Sequence, residues 1–312
     1  MRDGTGPMPR ADLLAAVEGV DALISLMSDR VDEELLDAAG AGLRVVANYA
    51  VGYDNIDVAA CGRRGVVVTN TPDVLTDATA DHAFALLLGV ARRLLEGDDL
   101  VRSGGWTGWE PGQLLGRHVT GATLGIVGMG RIGAAVARRA AAFGMSVVYH
   151  NRRRSPEVEA LTGARLVSLD ELLRASDFVT LHCPLTEATH HLIDAEALRS
   201  MKRTAVLVNT ARGPVVDEEA LAEALEAGEL WGAGLDVFER EPLVTERLVR
   251  LPNVLLAPHT GSATVVARSS RPSTVTSCSV KYGGRTQMRD SRSGADVWLC
   301  GTGKWTLGRV MT

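Results

Sequence analysis

Residues 123–154 read TLGIVGMGRIGAAVARRAAAFGMSVVYHNRRR, and this stretch decides the fold. LGIV is a continuous apolar run, as expected of a strand buried on both faces of a parallel sheet. It runs straight into Gly128, Gly130 and Gly133, then into AAVARRAAAF, a set of good helix formers. A second apolar strand follows and ends at Asn151, Arg152, Arg153 and Arg154. The three glycines act differently. Gly128 allows the tight turn out of the strand, Gly130 lets the backbone approach a pyrophosphate with no Cβ in the way, and Gly133 lets the helix pack closely on the strand. The phosphates would then meet the first N–H groups of the helix, at Arg131 and Ile132, and the positive end of its dipole.

Strand, glycine turn, helix and strand in that order make a dinucleotide-binding Rossmann unit. The end of the second strand bears on which dinucleotide. An NAD site usually places Asp or Glu there for the ribose 2′-hydroxyl, whereas NADP needs cations for its 2′-phosphate. Between Glu110 and Glu157 the chain has no acid at all. Asn151 with Arg152 and Arg153 therefore favours NADP(H) through guanidinium contacts to phosphate, with NAD(H) the other choice and a solvated basic turn the plain alternative.

At 312 residues the chain exceeds what one compact core usually holds, so two domains are expected. Hydrophobic content of 46% and charged content of 23% describe an ordinary globular protein. The best apolar run, Ala83 to Ala91 between His82 and Arg92, is far short of the roughly 20 residues of a membrane span. The polar start shows no secretory signal, and Cys61, Cys183, Cys278 and Cys300 form neither a disulfide frame nor a zinc pattern. A reducing cytoplasm is expected, with no membrane partner. The remaining candidate ligands, His118, His150, His182, His190 and His191, have no metal spacing, so no metal is expected. Residues 265–312 carry eight Lys or Arg against Asp290 and Asp296, a local balance of +6 that leaves −11 for the rest of a chain of net charge −5. That basic tail lacks aromatic interleaving or any recognisable module, so nucleic acid is not an expected partner.

Apolar strands and amphipathic helices alternate along most of the chain, the rhythm of βαβ units and a parallel sheet. Strands are predicted at 21–26, 43–48, 66–69, 177–182, 205–209, 232–237 and 254–257, helices at 11–17 and 32–39, and one long apolar helix at 79–95. Ligands of open parallel sheets bind at the carboxyl ends of strands. Just past three such ends stand Arg212 in VNTARGPVVDEEAL, Glu241 in GLDVFEREP and His259 in LLAPHTGSAT. A guanidinium can hold the carboxylate and polarise the ketone of a 2-oxo acid, and an imidazole can hand a proton to the developing alkoxide. Glu241 would accept from the other imidazole nitrogen and favour the protonated ring. Taken singly, each of the three has an ordinary reading as a loop residue; their joint placement is what points to chemistry. Trp106 and Trp109, in a Gly/Trp-rich connector, would cover core or wall a pocket.

NYAVGYDNIDVAA (48–60), TLGIVGMGRIG (123–133), VNTARGPVVDE (208–218), GLDVFEREP (234–242) and APHTGSAT (257–264) together resemble the signatures of the D-isomer-specific 2-hydroxyacid dehydrogenases, in particular the glyoxylate and hydroxypyruvate reductase branch. The resemblance runs from about Arg10 to Thr264. It implies an α/β protein of two lobes: a dinucleotide-binding domain at 77–261, and a smaller flavodoxin-like substrate domain from 1–76 and 262–312. It also implies reduction of glyoxylate or hydroxypyruvate to the D-2-hydroxy acid. Arg212, Glu241 and His259 match the family's catalytic residues, and Val51 and Gly52 match the loop whose amides cradle the substrate carboxylate. Asp236 resembles the contact to the nicotinamide carboxamide, Thr79 and Thr210 resemble further cofactor contacts, and Cys183 with Pro184 resembles the adenine-side wall. Family enzymes are usually dimers joined through the cofactor domain.

Two departures from the family pattern are expected to matter. By the resemblance, the substrate lobe is expected to lack the family's first strand, and from about Arg268 the family's long return helix is expected to give way to a segment in which Pro272 and the Gly283–Gly284 pair would break a helix. An altered reading frame or a different tail accounts for it. Two alternative readings follow: a dinucleotide-sensing interaction protein like the corepressors that share this fold, and an inactive member of the family.

Overall fold

The computed structural model describes residues 7–269, together with two-residue strands at 297–298 and 304–305. Pro272 and Gly283–Gly284, on which the expected helix break rests, lie outside the described residues, as does most of the atypical tail. The chain divides into two compact units, with the boundary after Val74 and the larger unit spanning Leu75–Arg268.

The smaller unit runs α1 (Arg10–Ala16), β1 (Ala22–Ser25), α2 (Glu33–Ala39), β2 (Val45–Asn48), α3 (Val58–Arg63), β3 (Val67–Thr69). Its three strands form a parallel sheet in the order β1-β2-β3. Asp32 and Asp57 cap α2 and α3, each carboxylate accepting an N–H three residues on, which satisfies donors a helix start leaves open. Leu13, Leu35, Leu36, Val46 and Cys61 fill the core between sheet and helices.

The larger unit contains α4 (Thr76–Ala91), α5 (Leu94–Arg102), β4 (Thr123–Val127), α6 (Arg131–Ala142), β5 (Ser146–His150), α7 (Pro156–Thr162), β6 (Arg165–Leu166), α8 (Leu169–Ala175), β7 (Phe178–Leu181) and α9 (Ala195–Ser200). It continues with β8 (Val206–Asn209), a 3-10 turn at Gly213–Val215, α10 (Glu218–Glu226), β9 (Gly232–Leu235), α11 (Glu246–Arg250), β10 (Val254–Leu256) and α12 (Val265–Ser269). Seven parallel strands form one sheet in the order β10-β9-β8-β7-β4-β5-β6. Successive strands travel one way from β4 to β6 and the other way from β7 to β10. The loops after β4 and β7 therefore diverge and leave a crevice at the carboxyl edge. β4, β7, β8 and β9 are buried almost throughout, as their largely apolar sequences lead one to expect. The small residues of GAGL in β9 have a packing reason: a Cβ on Gly234 would stand 2.9 Å from Leu86 Cβ, so α4 lies close against the sheet.

One expected helix is two. The sequence predicts a single helix over 79–95, yet α4 stops at Ala91, Arg93 adopts a left-handed φ of 53°, and α5 starts at Leu94. The carbonyl of Ala91, which a continuing helix would offer to residue 95, instead accepts the N–H of Arg117 at 2.7 Å. The break comes from a distant segment, so hydrophobic spacing carried no sign of it.

Candidate active site at the carboxyl edge of the larger sheet

The glycine turn has the geometry its sequence requires. Gly128 has φ of 97°, and a Cβ there would come within 2.6 Å of Cys183 N, so only glycine permits the loop after β4 to lie on the loop after β7. A Cβ on Gly133 would be 2.2 Å from Gly128 O, which fixes α6 against the turn. Gly130 differs: it is exposed, and a Cβ there meets nothing within 4 Å. Packing therefore gives no reason for its lack of a side chain. Gly130 is also the N-cap of α6 and supplies no side-chain cap, so the positive end of the helix is presented to the crevice. A cradle with that shape and polarity fits a dinucleotide pyrophosphate. Thr210, just past β8, adds a buried hydroxyl without a protein partner among the described residues.

Beyond β5, Arg154 pairs with Glu159, whose carboxylate also accepts the Tyr149 hydroxyl. Asn151 donates its side-chain amide to the carbonyl of Arg153 at 3.0 Å, closing a short turn. Arg152 and Arg153 are exposed on that turn. Cys183 is buried, and burial pushes its thiol up to about 11, so it serves as an apolar surface rather than a nucleophile. Pro184 beside it is exposed.

At the other end of the crevice two loops meet. His259 Nδ1 lies 2.8 Å from Glu241 Oε2, and Glu241 Oε1 accepts the Phe238 N–H at 3.1 Å. Glu241 is thus held at one oxygen by the backbone and offers the other to the imidazole. The His259 turn is fastened from below by Asp236, whose buried carboxylate accepts the Thr260 and Gly261 N–H groups at 2.7 Å each. Those charge-assisted bonds hold His259 at φ of 53°, a backbone state that a non-glycine residue rarely keeps without support. His82 Nε2, on α4, stands 3.2 Å from Asp236 Oδ1 but lacks hydrogen-bond alignment. Thr79 is buried on the same helix beside Gly261.

Arg212 sits in the loop after β8, its carbonyl accepting from Asn209 at 2.8 Å while Asn209 Oδ1 accepts the Ala211 N–H at 3.0 Å. Sequence reasoning missed the residue that joins this loop to the Glu241 loop. A Cβ on Gly213 would lie 1.9 Å from Phe238 C and 2.4 Å from Glu239 N, so the two backbones touch where Gly213 has no side chain. The motif VNTARGPVVDE contained that glycine, but only the fold shows what it faces. Arg212, Glu241 and His259 thus lie on adjoining loops of one rim. In the smaller unit, the loop after β2 is pinned through its carbonyls: Asn70 donates to Val51 O at 2.8 Å and Asn48 to Gly52 O at 2.6 Å. The N–H groups of Val51 and Gly52 make no hydrogen bond among the described residues. Trp106 and Trp109 are exposed, so they do not cover core.

His182, at the end of β7, is also set by its surroundings. Its Nε2 is 2.9 Å from Thr180 Oγ1 and its Nδ1 is enclosed without a partner among the described residues. Burial holds the ring neutral and lowers its pKa from 6.5 to about 3. In the unfolded chain the ring takes a proton as pH falls below 6.5, and in the folded chain it does not, so this group costs stability between pH 6.5 and 3 and nothing above. Because His182 as a whole residue is only half-buried, the expected loss between pH 7 and pH 5 is taken as about 1 kcal/mol, half of the roughly 2 kcal/mol for full enclosure. Chemical denaturation at the two pH values should show that loss diminished in His182→Gln; identical losses in both proteins would remove the assignment.

The family description "D-isomer specific 2-hydroxyacid dehydrogenase, NAD binding domain" matches residues 84–261. A glyoxylate reductase of Thermococcus kodakarensis is 58% identical over 265 residues, 84% of this chain and 79% of that protein. A crystal structure of a Thermus thermophilus protein superposes with a TM-score of 0.78 at 53% identity, over 84% of this chain and 82% of the other. An NADPH-dependent glyoxylate/hydroxypyruvate reductase of Sinorhizobium meliloti, solved with NADP and malonate, has a TM-score of 0.75 at 41% identity, over 81% and 78% of the two chains. A Rossmann-ordered sheet, a glycine cradle and this degree of identity over most of the chain lead to one conclusion: the chain belongs to the D-isomer-specific 2-hydroxyacid dehydrogenase family.

Proposed function

We propose that this protein reduces a small 2-oxo acid, glyoxylate or hydroxypyruvate, to the D-2-hydroxy acid, with NADPH preferred over NADH. The observation that carries the reading is the 2.8 Å contact of His259 Nδ1 with Glu241 Oε2 at the carboxyl edge of a dinucleotide-binding sheet. The larger unit acts as the dinucleotide domain and the smaller as the substrate domain. The bound nicotinamide cofactor supplies a hydride. Gly128, Gly130, Gly133 and the Arg131 and Ile132 N–H groups would hold its pyrophosphate, and Thr79, Cys183, Pro184, Thr210 and Asp236 would supply further contacts. His259 carries a proton on Nε2 toward the developing alkoxide, because Nδ1 is engaged by Glu241. Glu241 fixes the ring's orientation and balances its positive charge. Arg212 holds the substrate carboxylate and polarises the carbonyl. In the smaller unit, taken by itself, the open N–H groups of Val51 and Gly52 suit an anion such as a carboxylate. The names of the relatives favour this reading over an interaction protein of the corepressor kind.

The NADPH preference rests on Arg152 and Arg153, exposed beyond β5 where an acid would serve NAD. Rates of NADPH and NADH oxidation with glyoxylate, hydroxypyruvate and pyruvate test the whole reading. Turnover of none of the three acids would end it. With Arg152 and Arg153 both changed to Ala, KM for NADPH should rise about 10- to 100-fold, from the loss of charge-assisted bonds of about 1.5–3 kcal/mol, while KM for NADH moves little. An equal effect on both cofactors would refute the NADP assignment.

Leu94, Leu95 and Val101 on α5 and Trp106, Trp109 and Leu115 after it are exposed apolar residues of the cofactor unit, and a homodimer joined through that unit is the proposed assembly. Light scattering at micromolar concentration that gave a monomer mass would exclude it. Among the described residues no helix is long and apolar enough to cross a membrane. The free buried thiols Cys61 and Cys183 suit a reducing cytoplasm.

A further inference from the structure

The loop that carries Glu241 is closed at both ends by a residue to which no sequence motif gives a role. Glu218, the first residue of α10, is a buried carboxylate. Its Oε1 accepts the N–H of Glu239, and its Oε2 accepts the hydroxyl of Thr245 at 2.7 Å. Glu241 lies between those two points. Glu239 returns the contact: its Oε1 accepts the Glu218 N–H at 2.9 Å and lies 3.1 Å from His191 Nε2. One carboxylate thus clasps the loop, while a second, from the loop itself, sits on an N–H that the start of α10 leaves without an intrahelical partner.

A buried carboxylate is expensive unless every bond it makes is good, and an apolar side chain at this position would fill the same space without that cost. What the carboxylate secures is the loop. Fixing a residue's backbone costs conformational entropy, so a loop tied at Glu239 and Thr245 reaches its working shape with most of that cost already met by folding. Glu241 then needs only its bond to the Phe238 N–H to aim at His259. The same clasp steadies Phe238–Glu239, the backbone on which Gly213 rests beside Arg212.

We propose that Glu218 is a positioning residue for the reaction: it touches neither substrate nor cofactor and acts by holding Glu241 in register with His259. This rests on the catalytic reading of Glu241 given above. The test is a double-mutant cycle on the full-length protein with saturating NADPH and glyoxylate, with the thermal midpoint of each variant recorded. Glu218→Ala should lower kcat about 10- to 100-fold, with KM for NADPH nearly constant, since a misplacement of order 1 Å is enough for such a loss. In the Glu241→Ala background the same change should cost less than about threefold, because the group it positions is gone. Glu218→Gln, which keeps an acceptor oxygen, should recover most of the loss. Thr245→Val removes one tie without disturbing the buried carboxylate's other bond. It should lower kcat about three- to tenfold, again only when Glu241 is present, and it serves if Glu218→Ala does not fold. Equal losses in both backgrounds, or a folded Glu218→Ala with kcat within twofold of the parent, overturn the proposal. If Glu241→Ala is impaired while the Glu218 and Thr245 variants are not, only the clasp falls. If Glu241→Ala turns over like the parent, the catalytic reading falls and takes the clasp with it.

Discussion

Replacing His259 by Ala should lower kcat for glyoxylate by about 10² to 10⁴, the usual worth of a positioned general acid. The side chain reaches the rim from a turn whose backbone is held by Asp236, so the loss should come with little change in the thermal midpoint. His259→Asn is the sharper variant. Asn tolerates positive φ better than most residues, and so it preserves a turn at φ of 53° while removing the transferable proton. Both variants should retain NADPH binding, measured by nucleotide fluorescence, and both should lose turnover alike. If either variant keeps the parental rate, the proton donor lies elsewhere. A large loss in Ala with near-parental turnover in Asn would make the role of His259 one of turn geometry alone.

Gly213→Ala should be nearly as damaging to turnover and far more damaging to folding. The added carbon would lie 1.9 Å from Phe238 C and 2.0 Å from Phe238 O, and neither is the free end of a side chain that could swing away. The two loops must separate, which costs about 1–3 kcal/mol or more by the precedent of overpacked cores. Separation moves Arg212 away from Glu241, and displacement of order 1 Å is worth about 10² in rate. The thermal midpoint should fall by several degrees, with kcat reduced about 100-fold in the folded fraction. Gly130→Ala is the control: its φ of −82° suits any residue and its Cβ meets nothing within 4 Å, so the midpoint should hold while KM for NADPH rises. A Gly213→Ala protein with the parental midpoint and rate would show that the loops do not share this contact in solution.

The positions of the strands and the glycine turn after β4 were largely legible because their causes are local. An apolar run before the glycines of residues 128–133 can only be a buried strand feeding a helix, and Arg212, Glu241 and His259 could be located past strand ends by chain position alone. The break between α4 and α5 was not legible, because the Ala91 carbonyl is taken by Arg117, from a segment whose sequence has no feature that announces it. Nor was the double duty of Asp236, which resemblance places against the cofactor and the structure places under the His259 turn.

The amino-acid order by itself determined the kind of protein this is: where the strands fall, where a pyrophosphate would sit, and which three side chains emerge beyond the sheet. These follow from short-range sterics and apolar periodicity, which act within a few residues. Tertiary structure alone decided that Glu241 meets His259 at 2.8 Å, that Gly213 lets the Arg212 loop rest on Phe238, and that Glu218 ties down the loop between Glu239 and Thr245. Those contacts join segments far apart in the chain, and no local preference encodes a distance between them. They form only when the packed sheet brings the ends of β8, β9 and β10 side by side.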